Sequence, residues 1–252
     1  MSSPPHRLST LVASRALVNQ QTRGLARRHL TPGFRAQYDA TILVLEDFVQ
    51  GDVIDLGAGD SPFRETIGAR AQRYDTLDTT QAKQDVTYVG DIQHMPGVPS
   101  GCYDVALCFQ VLEHVPEPLS ALRECYRILR PGGRLVLSVP HLSRLHDLPH
   151  DYYRYTHQGV AHLSEKAGFA VERIDAYGGI PSFVGHQLST LLLTLTQPIP
   201  VLRVVIRLVN RALLVWPCFL LDRIVSLGDI APLGYVAVLQ KPPQQIAAEA
   251  RQ

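Results

Sequence analysis

The run Val53-Ile-Asp-Leu-Gly-Ala-Gly-Asp-Ser-Pro-Phe63 constrains the fold of this chain more than any other stretch. A short β-branched apolar segment that breaks into glycines reads as a buried strand entering a tight turn. Glycines there let a ligand approach the backbone, and the helix that follows offers free N–H groups. In an open α/β sheet this is where a ligand sits. A dinucleotide fingerprint would carry a third glycine where this run has Pro62, which weakens a nicotinamide reading.

Strand patterns recur at Arg73–Asp78, Asp85–Asp91, Tyr103–Gln110, Arg134–Pro140, Ala170–Tyr177 and Gly234–Pro242. Between them lie helical spacings over Ala36–Gln50, from Glu117 to a stop at Pro131-Gly132-Gly133, and from His157 to Gly168. Strands alternating with helices predict an α/β fold. We expect a Rossmann-like, doubly wound, mostly parallel seven-stranded sheet with an apolar helical insertion before the last strand.

The expected organisation is a basic N-terminal arm (1–35), a core (36–179), an apolar helical lobe (180–228), and the final strand with a polar tail (229–252). From Met1 to Tyr38 there is no acid, and Arg7, Arg15, Arg23, Arg27, Arg28 and Arg35 are basic. Such an arm reads either as a transit peptide or as a basic surface segment. In the lobe, Leu188–Leu202 is uncharged, Pro198, Pro200 and Pro217 interrupt it, and Arg203, Arg207 and Arg211 recur every four residues. That is the pattern of an interfacial amphipathic helix, peripheral at a membrane. An ordinary lobe with its leucines in a core or homodimer interface is the other reading.

The net charge of +1 gives no argument for a nucleic-acid partner. Cys102, Cys108, Cys125 and Cys218 form no C-x-x-C pair, as expected of reduced cysteines in a cytoplasmic protein.

Two acids follow strands. Asp78, ending "TLD", can accept from both hydroxyls of a ribose. Asp91, in "GDI", can accept from an exocyclic adenine amine while Ile92 packs on the ring. In order along the chain, "VIDLGAGDSPF", "TLD", "GDI", "CFQVLEHVPEP" and "RILRPGGRLVLSVP" resemble the class I S-adenosylmethionine-dependent methyltransferases of the type 11-like group, over about Gly51–Tyr177. "LPHDYYRYT" resembles a bacterial subgroup associated with glycosyltransferases and saccharide assembly. The resemblance implies S-adenosyl-L-methionine as cofactor. Asp55, Gly57, Ala58 and Gly59 would line its methionine end, Asp78 its ribose, Asp91 and Ile92 its adenine, and Gln110 would close over it.

Methyl transfer requires alignment of nucleophile, methyl carbon and sulfur, and a hydroxyl acceptor also needs a base. His114 follows the fourth strand, and His146, His150 and Asp151 follow the fifth, on the same sheet edge. These four are the candidates for the acceptor side. Tyr152, Tyr153 and Tyr155 can stack on a ring or anchor the loop, Arg154 can pair with Asp151 or a phosphate, and Thr156 can cap the next helix. The histidine spacing fits no zinc signature, so no metal is expected. The expected activity is O-methylation of a small-molecule or glycolipid acceptor. A quinone precursor and a non-catalytic partner subunit are the alternatives.

Overall fold

The computed structural model describes residues 24–81, 86–146, 148–197, 199–225 and 230–243. Most of the basic arm, the polar tail beyond 243, Asp85 and Pro198 lie outside the described residues. Two compact units are present: Ala40–Tyr177 with Gly234–Gln252, and Met1–Asp39 with Gly178–Leu233.

The first unit is built on seven strands: β1 (Gly51–Leu56), β2 (Ala71–Asp78), β3 (Tyr88–Val89), β4 (Tyr103–Phe109), β5 (Leu129–Pro140), β6 (Ala170–Tyr177) and β7 (Gly234–Gln240). Their order in the sheet is β3-β2-β1-β4-β5-β7-β6. β3, β2, β1, β4 and β5 pair parallel, while β7 runs antiparallel between β5 and β6. β1 and β4 are central, and both faces are covered over Val53–Leu56 and Val105–Cys108, where Asp55 is the one charged residue. Val53, Ile54, Leu56, Ala106 and Leu107 are fully shielded from solvent.

Helices α1 (Pro32–Phe48), α2 (Arg64–Gly68), α3 (Pro118–Ile128) and α4 (His157–Lys166) accompany these strands in the chain. The apolar stripe of α3 buries Ala121, Leu122, Cys125 and Ile128. Burial of Leu122 and of Ile128 stabilises the fold by about 1.5–3 kcal/mol each. Thr156 caps α4 by accepting from the Gly159 amide at 3.0 Å, as its position implied. The four cysteines are free thiols.

Two elements differ from the sequence expectation. The third strand shortens to Tyr88–Val89, because Asp91 turns back and accepts from the Gln93 amide at 2.9 Å. The expected helix stop at Pro131-Gly132-Gly133 lies inside β5 instead, since α3 already ends at Ile128. Tyr103 pairs with Leu129 and Val105 with Arg134, so the Arg-Pro-Gly-Gly segment is extra length taken up as an irregularity of the strand. A Cβ on Gly133 would lie 2.9 Å from the Arg130 carbonyl oxygen, which is why glycine stands there. The Lys241 ammonium donates to the Tyr126 and Leu129 carbonyls at 2.8 and 2.7 Å, closing the end of α3.

The second unit holds α5 (Ile180–Thr196), α6 (Pro200–Asn210) and α7 (Trp216–Val225). The described end of the basic arm is packed into it. Thr31 and His186 meet at 2.9 Å, Asn210 donates to the Leu30 carbonyl at 2.8 Å, and the buried Arg35 guanidinium lies over the Trp216 and Phe219 rings at 4.4 and 4.2 Å. Pro217 does not break the helix as expected. A π-helical turn at Arg211–Val215 precedes it and widens the backbone where a proline ring would press on the preceding turn. The result is one helix, Val201–Val225, long and apolar enough to cross a membrane, with 17% of its most apolar stretch buried. Leu188, Leu191 and Leu195 of α5, and Leu208, Leu213 and Ile224 of the long helix, are all more than half exposed.

Candidate active site

The glycine loop closes directly over the end of β2. The Gly57 and Ala58 amides donate to the Leu77 carbonyl at 2.7 and 3.2 Å. Gly57 has φ +69°, and a Cβ there would lie 2.5 Å from Cγ2 of Val111. Both backbone conformation and space therefore demand glycine. The Gly59 amide donates to one Asp78 carboxylate oxygen at 2.9 Å, and the Thr79 amide donates to the other at 2.7 Å. Asp78 is thus fixed in direction by the turn, with lone pairs left over on both oxygens.

Asp55 lies beneath the loop, 3% exposed. One of its oxygens accepts from the Ser61 hydroxyl and the Tyr74 phenol, both at 2.9 Å. Burial pushes its carboxyl up to about 6; the two hydrogen bonds and Arg64 oppose that rise without cancelling it. Tyr74 is likewise pushed up, by burial and by the neighbouring Asp55. Sequence reasoning named Asp55 but neither Ser61 nor Tyr74, because a strand neighbour nineteen residues away leaves no local pattern.

Asp91 is exposed, its carboxylate accepting from the Gln93 amide and side chain, whereas Ile92 is 5% exposed and belongs to the core. Gln110 directly follows β4 with φ +55°, unlike any other non-glycine among the described residues. Its amide donates to the Ser138 carbonyl at 3.0 Å, and its side chain reaches the Ser138 hydroxyl and the Tyr177 phenol at 3.3 and 3.4 Å. A non-glycine residue held in the left-handed region costs of order 1 kcal/mol and persists where the surroundings fix it.

The loop after β5 folds back onto the turn that follows β4. The amides of Tyr152 and Tyr153 donate to the Glu113 carbonyl at 2.9 and 3.3 Å, and the Tyr155 phenol donates to the Leu112 carbonyl at 3.0 Å. His114, His146, His150 and Asp151 are thereby brought together, although they come from two loops. His114 Nδ1 donates to the His150 carbonyl at 2.6 Å, and the His114 and His146 rings meet edge to face at 4.8 Å. His146 Nδ1 donates to the Arg144 carbonyl at 3.2 Å. A carbonyl can only accept, so Nδ1 of each ring carries a hydrogen, although the Arg154 guanidinium also stands 3.4 Å from Nδ1 of His146; Nε2 is then an acceptor in the neutral ring and a donor in the protonated one.

Asp151 has a different environment. Its fully buried carboxylate takes a two-pronged hydrogen bond from Arg154 at 2.6 and 2.8 Å and another from the His146 amide at 2.7 Å. Arg154 holds the carboxyl down to about 2, against the opposing effect of burial. A carboxylate so committed is a poor proton acceptor near neutrality and braces the loop. Arg154 also donates to the Ser143, Arg144 and Tyr153 carbonyls, so one guanidinium pins the whole turn. Tyr155 is buried, while Tyr152 and Tyr153 present 45% and 38% of their surface to solvent.

Glu113, inside "VLEHV", was not singled out from the sequence. It is fully buried, and neither carboxylate oxygen has a hydrogen-bond partner among the described residues. Leaving a buried acceptor unsatisfied costs about 1–3 kcal/mol, more for a charge. Its Oε1 lies 3.6 Å from His146 Nε2 and 3.9 Å from His114 Nε2. Burial disfavours the charged form of His146, but Glu113, the Arg144 carbonyl and Asp151 outweigh it and raise its pKa. The available signal was an acid in an otherwise apolar run.

Residues 28–192 match the family model for a methyltransferase domain. Among curated proteins, the ubiquinone biosynthesis O-methyltransferase of Pseudomonas aeruginosa (strain UCBPP-PA14) is 29% identical over 100 residues, 34% of this chain and 43% of that protein. The protein of the same name from Xanthomonas oryzae pv. oryzae (strain PXO99A) is 30% identical over 106 residues, 37% of this chain and 44% of that protein. The chain thus spans less than half the length of these two relatives. Among solved structures, the cyclase SpnF superposes with TM-score 0.62 at 17% identity, covering 94% of each chain. The 1,6-didemethyltoxoflavin-N1-methyltransferase of Burkholderia thailandensis, bound to S-adenosylhomocysteine, superposes with TM-score 0.52 at 16% identity, covering 96% of this chain and 92% of that one. These two likenesses speak to the fold. With the match covering well over half its length, the chain belongs to the methyltransferase-domain family, class I proteins whose cofactor is S-adenosyl-L-methionine.

Proposed function

We propose that the chain methylates an oxygen of a saccharide or lipid-linked acceptor, and that it works on the cytoplasmic face of a membrane. The observation that carries the reading is the fold-back of the Tyr152–Tyr155 loop onto the Glu113 carbonyl. It sets two imidazole Nε2 atoms at the sheet edge that also bears the glycine loop, with Val111 touching Gly57.

The residues present fit the cofactor. Beside Gly59 a Cβ would meet only the Gly57 carbonyl oxygen, at 3.8 Å, so the loop leaves room there for a ligand, and the Asp78 carboxylate is oriented by two amides yet keeps acceptor capacity for a ribose. When bound, the cofactor supplies a methyl group activated on a sulfonium. Asp55, Gly57, Ala58 and Gly59 would hold its methionine end, Asp91 and Ile92 its adenine edge, and Gln110, fixed by Ser138 and Tyr177, would stand over it. On the acceptor side, the Nε2 atoms of His114 and His146 can take up a hydroxyl hydrogen. His150 contributes its carbonyl to orient His114, and Asp151 keeps the loop closed. The exposed rings of Tyr152 and Tyr153 can stack on a sugar face.

The membrane part rests on the second unit taken alone. From Ile180 to Val225 the basic residues are Arg203, Arg207, Arg211 and Arg223, and the single acid is Asp222. An apolar surface with that charge suits a bilayer containing anionic lipid. A second reading, a quinone precursor as acceptor, is favoured by the names of the relatives matched over about a third of this chain.

Calorimetry with S-adenosylmethionine and S-adenosylhomocysteine is the first test; folded protein that binds neither would sink the reading. Untargeted mass spectrometry of glycolipids and quinones from a deletion strain then identifies the acceptor by the missing methyl group. A change confined to quinones would move the assignment to the second reading. Flotation with anionic vesicles tests the membrane, and a stable dimer that ignores vesicles would assign the apolar surface to a second copy instead.

A further inference from the structure

We propose that Glu113, His114 and His146 hold a divalent metal ion of borderline softness, Zn2+ or a first-row neighbour. One ligand atom from each lies within 4.8 Å of the others. The 3.6 and 3.9 Å separations from Glu113 Oε1 to the two Nε2 atoms exceed a hydrogen bond. Ligands about 2.1 Å from a tetrahedral ion stand about 3.4 Å apart, so a small inward shift would seat one.

Three independent features point the same way. Glu113 is a fully buried carboxylate with neither oxygen in a hydrogen bond among the described residues; its nearest partners are the two Nε2 atoms, and an ion between them would satisfy all three. Nδ1 of each histidine meets a backbone carbonyl, that of His150 at 2.6 Å or of Arg144 at 3.2 Å, with Arg154 3.4 Å from the latter ring's Nδ1; in the neutral ring that contact fixes the orientation and frees Nε2 as ligand. That outer arrangement is what metal-bound histidines use. The edge-to-face rings, 84° apart, let two nitrogens converge on one point. The nearby Arg154 cation is neutralised by Asp151, so no unbalanced positive charge opposes an ion.

Two imidazoles and one carboxylate are a borderline donor set, suited to Zn2+, Fe2+ or Co2+ over Mg2+ or Ca2+. Three protein ligands leave a position open, as in catalytic and not structural sites. Both histidines are partly exposed, so that position faces solvent. What enters it rests on the methyl-transfer reading: a hydroxyl of the acceptor, oriented and made more acidic by the ion, which would replace proton uptake by the two Nε2 atoms and let the proton pass to the solvent that the position faces. The ion itself rests on the geometry alone. The result departs from the expectation of no metal, because the ligands come from two loops and leave no spacing to read.

The experiment uses the full chain without a histidine tag, dialysed against chelator. Co2+ and Zn2+ are titrated by calorimetry, and Co2+ by its visible absorption, with S-adenosylhomocysteine binding measured on the same samples. We expect one ion per chain and much weaker Mg2+ binding. Glu113→Gln and His146→Gln should each weaken Co2+ binding by more than about 100-fold while S-adenosylhomocysteine still binds. His146 lies on the loop and not in the core, so its variant keeps the test open should Glu113→Gln fail to fold. No stoichiometric Co2+ or Zn2+ in the wild type, or equal affinity in His146→Gln, overturns the proposal and leaves Glu113 as a partner for a protonated His146. Co2+ binding without S-adenosylhomocysteine binding would keep the metal and remove the methyl-transfer reading.

Discussion

The phenol of Tyr74 donates to the carboxylate of Asp55 at 2.9 Å, across the β1–β2 pair and beneath the glycine loop. The bond joins an acid pushed up to about 6 to a phenol pushed up as well, and Ser61 adds the second donor. The group stores a charge that burial disfavours and that a cationic ligand would favour.

A pH dependence follows from Asp55. Its folded pKa lies above the ordinary 3.8, so the folded state binds the proton more tightly than the unfolded chain. Its contribution to stability is therefore fully present below 3.8 and lost as pH rises through about 6, by about 3 kcal/mol in all. Thermal unfolding of wild type against Asp55→Asn should show the wild type losing stability relative to the variant between pH 4 and 7. S-adenosylmethionine, which is cationic, should bind more tightly above about pH 6, with proton release visible as buffer-dependent binding enthalpy. A flat pH profile in the wild type would refute both.

Asp78→Ala should weaken S-adenosylhomocysteine binding by about 10- to 100-fold, since it removes the acceptor proposed for the ribose and the anchor of the Gly59 and Thr79 amides. Gly57→Ala should reach a comparable loss by another route. Its Cβ meets Val111, and φ +69° is strained for alanine, so Val111→Ala should restore only part of the affinity. Isothermal titration of the single and double variants checks this.

Removing Arg154 should destabilise the chain by about 3 kcal/mol, because it leaves the buried Asp151 carboxylate without its cation and frees three backbone carbonyls. Lysine should rescue little, having no planar fork to meet both oxygens. Urea denaturation of Arg154→Met and Arg154→Lys measures both. Equal stability of wild type and Arg154→Met would show that the loop is held by its tyrosines alone.

Replacing Arg203, Arg207 and Arg211 by glutamine should lower partitioning onto anionic vesicles by about 1 kcal/mol per residue and remove most of its salt dependence. Residual binding to neutral vesicles should persist, carried by side chains such as Leu208, Leu213 and Ile224. Flotation at two ionic strengths reads the difference.

The sheet was legible where burial wrote itself into composition. β4 is mostly apolar and β1 holds a β-branched pair, Val53 and Ile54, and the glycines after β1 announce a turn, so the strand, the loop and Asp78 could be placed from sequence. The segment Arg130–Gly133 misled because proline and glycine stop helices and also kink strands, and only pairing with β4 distinguishes the two. In sequence Asp151 reads both as an acceptor-side candidate and as a partner of Arg154; the pair forms, and the burial that commits the carboxylate to it is not visible in sequence. Glu113 was hidden for the converse reason: an acid in an apolar run looks like a surface residue until its burial is known. Pro217 looked like a break because the π turn that accommodates it has no sequence signature.

The pairing of Tyr177 with Gly234 carries a consequence for how such a protein could arise. The chain leaves the sheet at one residue and returns at its direct neighbour on the adjacent antiparallel strand, a gap of about 5 Å. A two-residue hairpin could close that gap, so the ladder between β6 and β7 does not depend on how much chain is carried between them. Residues 178–233 are in this sense a cartridge. A different one could be exchanged at the same two backbone positions, together with the arm that packs on it, without rewriting the strands of the sheet.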